Sequence, residues 1–385
     1  METSLIGPAS PLGLPAPYWF LVGFKALGLA LHLLPMHLWY AGILVMLLLR
    51  RGTDPQAARL GDRIMSQMPV IVAVGVNLGI VPLLFTQVAY YRAFYPAGVL
   101  MAWPWFMVIP LLCVAYYGVY AYAFGVRAGR LAPWRAAAGW IACALFITIG
   151  WLFANLFALM TNVPAWRRLW DATSVAGAPL GIALDTADPT LWPRWLMMFG
   201  LAITTTAAWV AFDAGVFAGA ESPAYRRWAR GFALRLHTVG IVWFAAAGSW
   251  YVFGALDPGI RARLTAGPLL PLTALTALGP GLVWLLLLAA GRRAGGNPAR
   301  AGAIVLLVAQ FLVLALNVVS RQLVQNRELR PFLDVTAEPV RAQTGPLLLF
   351  LALFVAGLGV VIWMLQQAVR ADRTAGARGP GAPVA

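Results

Sequence analysis

Nine stretches of this chain are too long and too uniformly apolar to remain in water: 18–50, 67–93, 97–126, 134–161, 190–217, 225–254, 266–292, 300–325 and 344–370. Each reaches the roughly 20 helical residues needed to cross a hydrocarbon core of ~30 Å. In lipid, backbone N–H and C=O groups must be paired within the structure, which leaves helices or a closed barrel. Barrel strands alternate polar and apolar residues over about ten positions, and these stretches do not alternate. The reading is an all-α, polytopic membrane bundle of about nine transmembrane helices. A 61% hydrophobic and 11% charged composition agrees with it.

The net charge of +15 suggests nucleic acid until its distribution is read. Seventeen of the 28 basic residues fall in 50–63, 127–135, 226–235, 292–300 and the tail after 369, which alternate spans place on one side. Nine lie on the other side: Arg92, Arg167, Arg168, Arg194, Arg261, Arg263, Arg327, Arg330 and Arg341. This bias follows the positive-inside rule and predicts an external N-terminus and a cytoplasmic C-terminus, so membrane topology explains the charge without nucleic acid. Met1–Pro17 has no basic leader and reads as an external lead into the first span rather than a signal peptide. Residues 1–370 form a single transmembrane domain, and the Ala/Gly/Pro/Arg tail 371–385 has the composition of a disordered cytoplasmic segment. The longest connection, 162–189, carries Trp166, Arg167, Arg168, Trp170 and Asp171 on the external side. Pro35, Pro82, Pro104 and Pro110 fall inside predicted spans and predict kinks.

Cys113 and Cys143 are the only cysteines, and no C-x-x-C-H motif occurs, so covalent c-type haem, zinc and iron–sulfur ligand sets are excluded. Four ionisable residues stand deep in the apolar spans: Lys25, His32, His37 and His237. Such residues are costly in a membrane and call for a reason. Lys25 and His32, seven residues apart, share a helix face to within ~20°, whereas His37 lies ~140° round from His32, so the two histidines cannot serve one iron. A neutral His32 either ligates a metal or bonds a neighbouring helix. Lys25 either meets an anion or snorkels outward. Further polar positions are Asn77-Leu78-Gly79 with Gln87, Met160-Thr161-Asn162, Met197-Met198, and Asn317-Val318-Val319-Ser320-Arg321-Gln322 followed by Glu328 and Pro331. The plain account of the polar residues among these is interhelical hydrogen bonding, worth ~0.6 kcal/mol on average, and that of the methionines is ordinary packing.

Taken together, these positions resemble the haem-bearing subunit I of the cytochrome bd oxidase superfamily. His32 leading to Gly42 is similar to the family's first helix, whose histidine ligates a high-spin haem b. Asn77-Leu78-Gly79 to Gln87 is similar to its second helix, where a Glu stands at the Gln87 position. Met160-Thr161-Asn162 looks like its fourth-helix exit. Arg321-Gln322, with Glu328 seven and Pro331 ten residues after the Arg, matches the offsets of its eighth-helix motif. The sequence also departs from that pattern. The family's eighth-helix glutamate falls on Val318 and its fifth-helix histidine at or beside Met197; in an alternative register that histidine is His237. The partner methionine on the seventh helix has no counterpart in 266–292, and the quinol-binding loop is reduced to roughly 255–265.

The resemblance implies an electron-transfer subunit of a cytochrome bd-like respiratory complex in a bacterial inner membrane. It would bind haem b through His32, with Lys25 and Arg321 balancing propionate charge, Gln322 beside them, and Met197 as a ligand to a second iron. A competent quinol oxidase is not implied, because Gln87 and Val318 do not relay protons. The partners implied are other membrane subunits, the lipid bilayer, and a c-type cytochrome docking externally near 162–189. A haem-free scaffold paired with a ligand-complete paralogue is the alternative. A transporter is a third reading, against which stands the lack of an internal repeat.

Overall fold

The computed structural model describes residues 5–292 and 300–377. Among the described residues, nine helices are long and apolar enough to cross a membrane: Tyr18–Arg51, Pro55–Ala89, Ala102–Arg127, Pro133–Thr161, Leu191–Val216, Pro223–Ala255, Leu270–Ala290, Arg300–Leu329 and Thr344–Met364. They are spans 1 to 9 below, and the chain is a multi-pass, all-α membrane protein. The last helix itself continues to Ala377, into the segment 371–385 read as a disordered tail; residues 378–385 lie outside the described residues.

Two boundaries differ from the apolar pattern for physical reasons. Span 2 begins at Pro55, where the apolar run starts only at 67. Asp54 caps it by accepting from the Gln56 N–H, and Pro55 occupies the first turn, where no donor is needed. The polar turns that follow are held by ion pairs: Asp62 with Arg50 of span 1, Arg59 with Glu221, and Arg63 with Asp213 of span 5. The third run, in contrast, is broken. Tyr90 and Met101 leave helical geometry, so Tyr91–Leu100 and Ala102–Phe106 form separate short helices before Val108–Arg127. Pro104 and Pro110 therefore sit in first turns, whose N–H groups have no intrahelical partner, and they do not kink a span as expected.

Small residues let spans approach. A Cβ on Gly200 would stand 2.6 Å from the Phe244 nitrogen, and one on Gly240 2.8 Å from the Thr204 nitrogen, so the backbones of spans 5 and 6 touch. Gly75 of span 2 lies under the Trp39 ring, and Gly150 of span 4 under the Tyr40 ring. Span 1 passes through a π-helical segment, Leu38–Gly42, whose residues are all buried. Span 6 ends in another, Trp250–Ala255. Such bulges re-aim side chains within a continuous helix.

The end at which the chain enters span 1 is closed by connections. The 162–189 loop folds as a helix, Ala165–Thr173, and a two-stranded hairpin pairing Ser174–Val175 with Ala178–Pro179. Trp166 is buried and donates its indole N–H to the Leu159 carbonyl at 2.8 Å. Asp185 accepts from Asn162 and Arg168. Leu14 pairs with Val340, tying the lead to the connection before span 9, and Arg92 of the Tyr91–Leu100 helix pairs with Glu338 of that connection.

Candidate functional site

His32 lies fourteen residues into span 1, about 21 Å along the helix. Its Nδ1 is 2.8 Å from the Gly75 carbonyl of span 2. A carbonyl only accepts, so Nδ1 carries the proton and Nε2 presents a lone pair. The ring also meets Gly79, where a Cβ would stand 2.8 Å from Cε1, and Trp39, edge-on at 5.9 Å between centroids. Two glycines of the Gly75–Gly79 turn thus accommodate one imidazole and one indole. His32 is partly exposed. A carbonyl that fixes the tautomer and the ring orientation in this way is what a ligating histidine needs.

The other two histidines are placed differently. His37 is fully buried, with Nδ1 2.9 Å from the Thr205 hydroxyl of span 5. His237 is also fully buried, with Nδ1 3.2 Å from the Thr204 carbonyl and Nε2 3.0 Å from the Pro280 carbonyl of span 7. Both of its nitrogens face protein acceptors, so neither is turned toward an iron.

Lys25 and Arg321, grouped by the sequence as propionate partners, separate in their surroundings. Lys25 is buried and donates to Gln322 Oε1 at 2.7 Å and Gln325 Oε1 at 3.0 Å, while the Tyr90 ring covers it at 4.5 Å. Its three N–H directions face two amide oxygens and one aromatic ring, which enclose the ammonium. Gln322 also bonds Tyr90 and Asn326, and Asn326 bonds Tyr18, knitting spans 1 and 8 to the end of span 2. Arg321 stacks on Phe157 at 4.9 Å, and no hydrogen bond or ion pair engages its guanidinium among the described residues. Glu328 pairs with Arg194 of span 5 at 2.7 Å.

The remaining candidates are dispersed. Asn77 bonds its own helix at the Ala73 carbonyl and is exposed. Gln87 is partly buried near the end of span 2. The Met197 sulfur lies against span 6, 3.5 Å from where a Gly248 Cβ would stand. Val318 is buried in the core. Among the described residues no group of three or more His, Cys, Asp and Glu side chains is arranged to hold a metal ion. The sequence reading missed Tyr18, Tyr90, Gln325 and Asn326 around Lys25, and Thr204, Thr205 and Gln310 around the buried histidines. The signal was present for span 8, where Gln322, Gln325 and Asn326 recur at helical spacing on one face.

No protein-family model matches this sequence, and no curated protein sequence does. Among solved structures, the bd oxidase from Geobacillus thermodenitrificans contains a chain that superposes with a TM-score of 0.64 at 14% identity. The match covers 92% of this chain and 99% of that one. The nine-span bundle therefore has the cytochrome bd oxidase subunit I-like fold that its helix-end patterns anticipate.

Proposed function

We propose that this chain is a membrane electron-transfer subunit of a cytochrome bd-like respiratory complex and that it binds haem b through His32. The observation that carries the proposal is the bond from His32 Nδ1 to the Gly75 carbonyl at 2.8 Å, which leaves Nε2 as an oriented lone pair on a partly exposed ring. The residues present fit the group. Haem iron takes one neutral imidazole nitrogen readily, Gly79 allows the ring its position, and Arg321 has a guanidinium without a protein acceptor for a carboxylate. Lys25 is held by the Gln322 and Gln325 amide oxygens and is not free for direct contact. Haem bound here supplies a one-electron redox centre. The chain's own part is to hold the ring in one tautomer, keep the site within packed spans, and offset negative charge.

The arginine distribution supports an external N-terminus and a cytoplasmic C-terminus in a bacterial inner membrane. Partner subunits in the membrane belong to this proposal. The proposal includes a c-type cytochrome docking on the exposed Arg167, Trp170, Val175, Leu180 and Ile182 of the 162–189 loop. A haem-free scaffold remains the second reading, favoured by Met197 lying against span 6 and by Val318 where the family has a glutamate.

Haem content of the detergent-purified protein, by pyridine haemochromogen and reduced-minus-oxidised spectra, tests the proposal on wild type and His32→Ala. Haem b in the wild type and its loss in a variant of unchanged helicity is the expected result. Haem retained in the variant overturns the ligand assignment. A folded, haem-free wild type overturns the redox reading and leaves the scaffold.

A further inference from the structure

A continuous seam of close polar contacts crosses the apolar core through five spans. His37 Nδ1 of span 1 meets Thr205 Oγ1 of span 5 at 2.9 Å. Gln310 Nε2 of span 8 reaches Thr205 Oγ1 at 3.0 Å and Thr204 Oγ1 at 3.1 Å. The Thr204 carbonyl faces His237 Nδ1 of span 6 at 3.2 Å, and His237 Nε2 faces the Pro280 carbonyl of span 7 at 3.0 Å. All five side chains from His37 to His237 are buried, and the two histidines and both threonines have no exposed surface.

Counting donors along this seam gives an imbalance. Both threonine hydroxyls spend their protons on the Leu201 carbonyl, at 2.7 Å and 2.9 Å. His37 must therefore donate from Nδ1 to Thr205, which leaves its Nε2 a bare lone pair with no protein partner. Gln310 donates to both threonines, and its Oε1 is likewise buried and unpartnered. His237 shows the opposite condition. Two carbonyl oxygens, which can only accept, flank a ring that carries a single N–H when neutral. One contact is then lone pair against lone pair, and a second proton converts it to a hydrogen bond.

We propose that this seam is a buried proton-binding site, with His237 taking the proton between the Thr204 and Pro280 carbonyls. The lone pair of the unprotonated nitrogen forms the new N–H bond, and the ring gains one positive charge with no redox change. The bare His37 Nε2 and Gln310 Oε1 are acceptors for the water that delivers the proton. No larger ligand suits them, because both atoms are enclosed, and no set of three metal-ligating side chains is assembled there among the described residues.

Charged groups stand off from His237 on every element around it. Span 7 carries no ionisable residue between Leu270 and Ala290. On span 5 the nearest is Asp213, nine residues beyond Thr204 and paired with Arg63. On span 6 it is Arg235, which is exposed, and on span 8 Arg300 and Arg321 flank Gln310 at about ten residues on either side. On span 1, His37 is the titratable group of the seam, with His32 and Lys25 further toward the entry end. A proton on His237 is thus stabilised by dipoles alone.

The chain has only three histidines, which makes the test direct. Protein purified without a histidine tag, carrying 15N-labelled His and 13C-carbonyl-labelled Pro, is reconstituted in bilayers. Solid-state NMR then follows the ring nitrogens from pH 5 to pH 8. His237 identifies itself through dephasing of its Nε2 by the Pro280 carbonyl, and independently by loss of its signals in His237→Gln. Two protonated nitrogens on that ring at any pH in the range, with His37 keeping one bare nitrogen beside it, is the expected result. One protonated and one bare nitrogen on His237 throughout overturns the proposal, as does the absence of any proline-carbonyl contact. If His237→Gln does not fold, the wild-type dephasing experiment decides alone. Neither readout requires haem, so failure of this proposal and failure of the haem assignment are separable.

Discussion

Replacing Gly79 by Ala puts the smallest side chain against the imidazole on which the haem proposal rests. The added Cβ would stand 2.8 Å from His32 Cε1 and 2.9 Å from Nδ1, too close for either atom to stay. The ring must swing, and its 2.8 Å bond to the Gly75 carbonyl lengthens or breaks. Three terms set the stability change. Overpacking costs about 1–3 kcal/mol, the lost hydrogen bond about 0.5–1.5 kcal/mol, and the better helix propensity of Ala returns about 1 kcal/mol. The expected net is a destabilisation of about 0.5–3.5 kcal/mol in detergent unfolding. Haem affinity should fall further than that figure suggests, because loss of an orienting outer-shell partner costs roughly 10–100-fold at metal sites. Haem titration of Gly79→Ala against Gly23→Ala separates the effects, since a Cβ at Gly23 has nothing within 4 Å. Equal haem affinity in the two variants refutes the placement of His32 as the oriented ligand.

Three other outcomes are expected. Arg63→Leu removes the main partner of Asp213, which is buried and keeps only Gln67, and should cost about 3–5 kcal/mol; a thermal unfolding shift worth under 1 kcal/mol contradicts the ion-pair account. Lys25→Met leaves two amide acceptors unfilled and should cost about 1–3 kcal/mol, with haem content preserved, whereas Arg321→Gln should lower haem affinity about tenfold as a lost outer-shell group. Equal haem loss in both would return Lys25 to direct contact. Burial raises the Asp185 carboxyl above its ordinary value, against the lowering effect of its bond from Asn162. Because the folded loop holds that proton more tightly than the unfolded one, its contribution to stability grows as pH falls through the folded value and fades as pH rises. Limited proteolysis within 162–189 should therefore slow between neutral pH and about pH 4–5, and Asp185→Asn should abolish the dependence.

Most of the bundle was legible because a membrane allows so few solutions: apolar length alone located all nine spans. What the apolar pattern could not show was where helix continues without apolar residues. Span 2 starts at Pro55 because Asp54 caps it and Arg59, Asp62 and Arg63 find partners across the bundle, which local hydropathy does not register. The break at Met101 is equally tertiary, since Leu100 and Trp103 hydrogen-bond Ala183 and Gly181 in the segment that follows the 174–179 hairpin. For the site, the face shared by Lys25 and His32 was readable from spacing, but the difference between Lys25 and Arg321 was not. Both are cations near one end of the bundle, and only packing shows that two glutamines enclose the first while the second lacks an acceptor. The π-helical Leu38–Gly42 segment is also invisible to periodicity, and it follows directly after His37 in the helix that carries both histidines.

Under the proposed reading, the substitutions that separate this chain from the oxidase pattern fall on two kinds of residue: ligands to a further iron, with Met197 at or beside the histidine position and no methionine in 266–292, and carboxylates. The groups that would hold one haem at His32 are present: His32 with its Gly75 carbonyl and Arg321 with a free guanidinium, while the Arg194–Glu328 pair braces spans 5 and 8. Groups that would move protons to an iron are replaced, Val318 being buried where the family has a carboxylate and Gln87 carrying an amide. A buried carboxylate is costly without a partner, so an apolar residue is the stable solution at position 318, which is buried in the core. Val318→Glu tests that logic: without a function to serve, the acid should destabilise the folded protein by several kcal/mol in the manner of an unpaired buried charge. If instead the variant folds with wild-type stability and its reduced haem spectrum changes, the position retains a partner for the acid and the chain is closer to an oxidase than its sequence suggests.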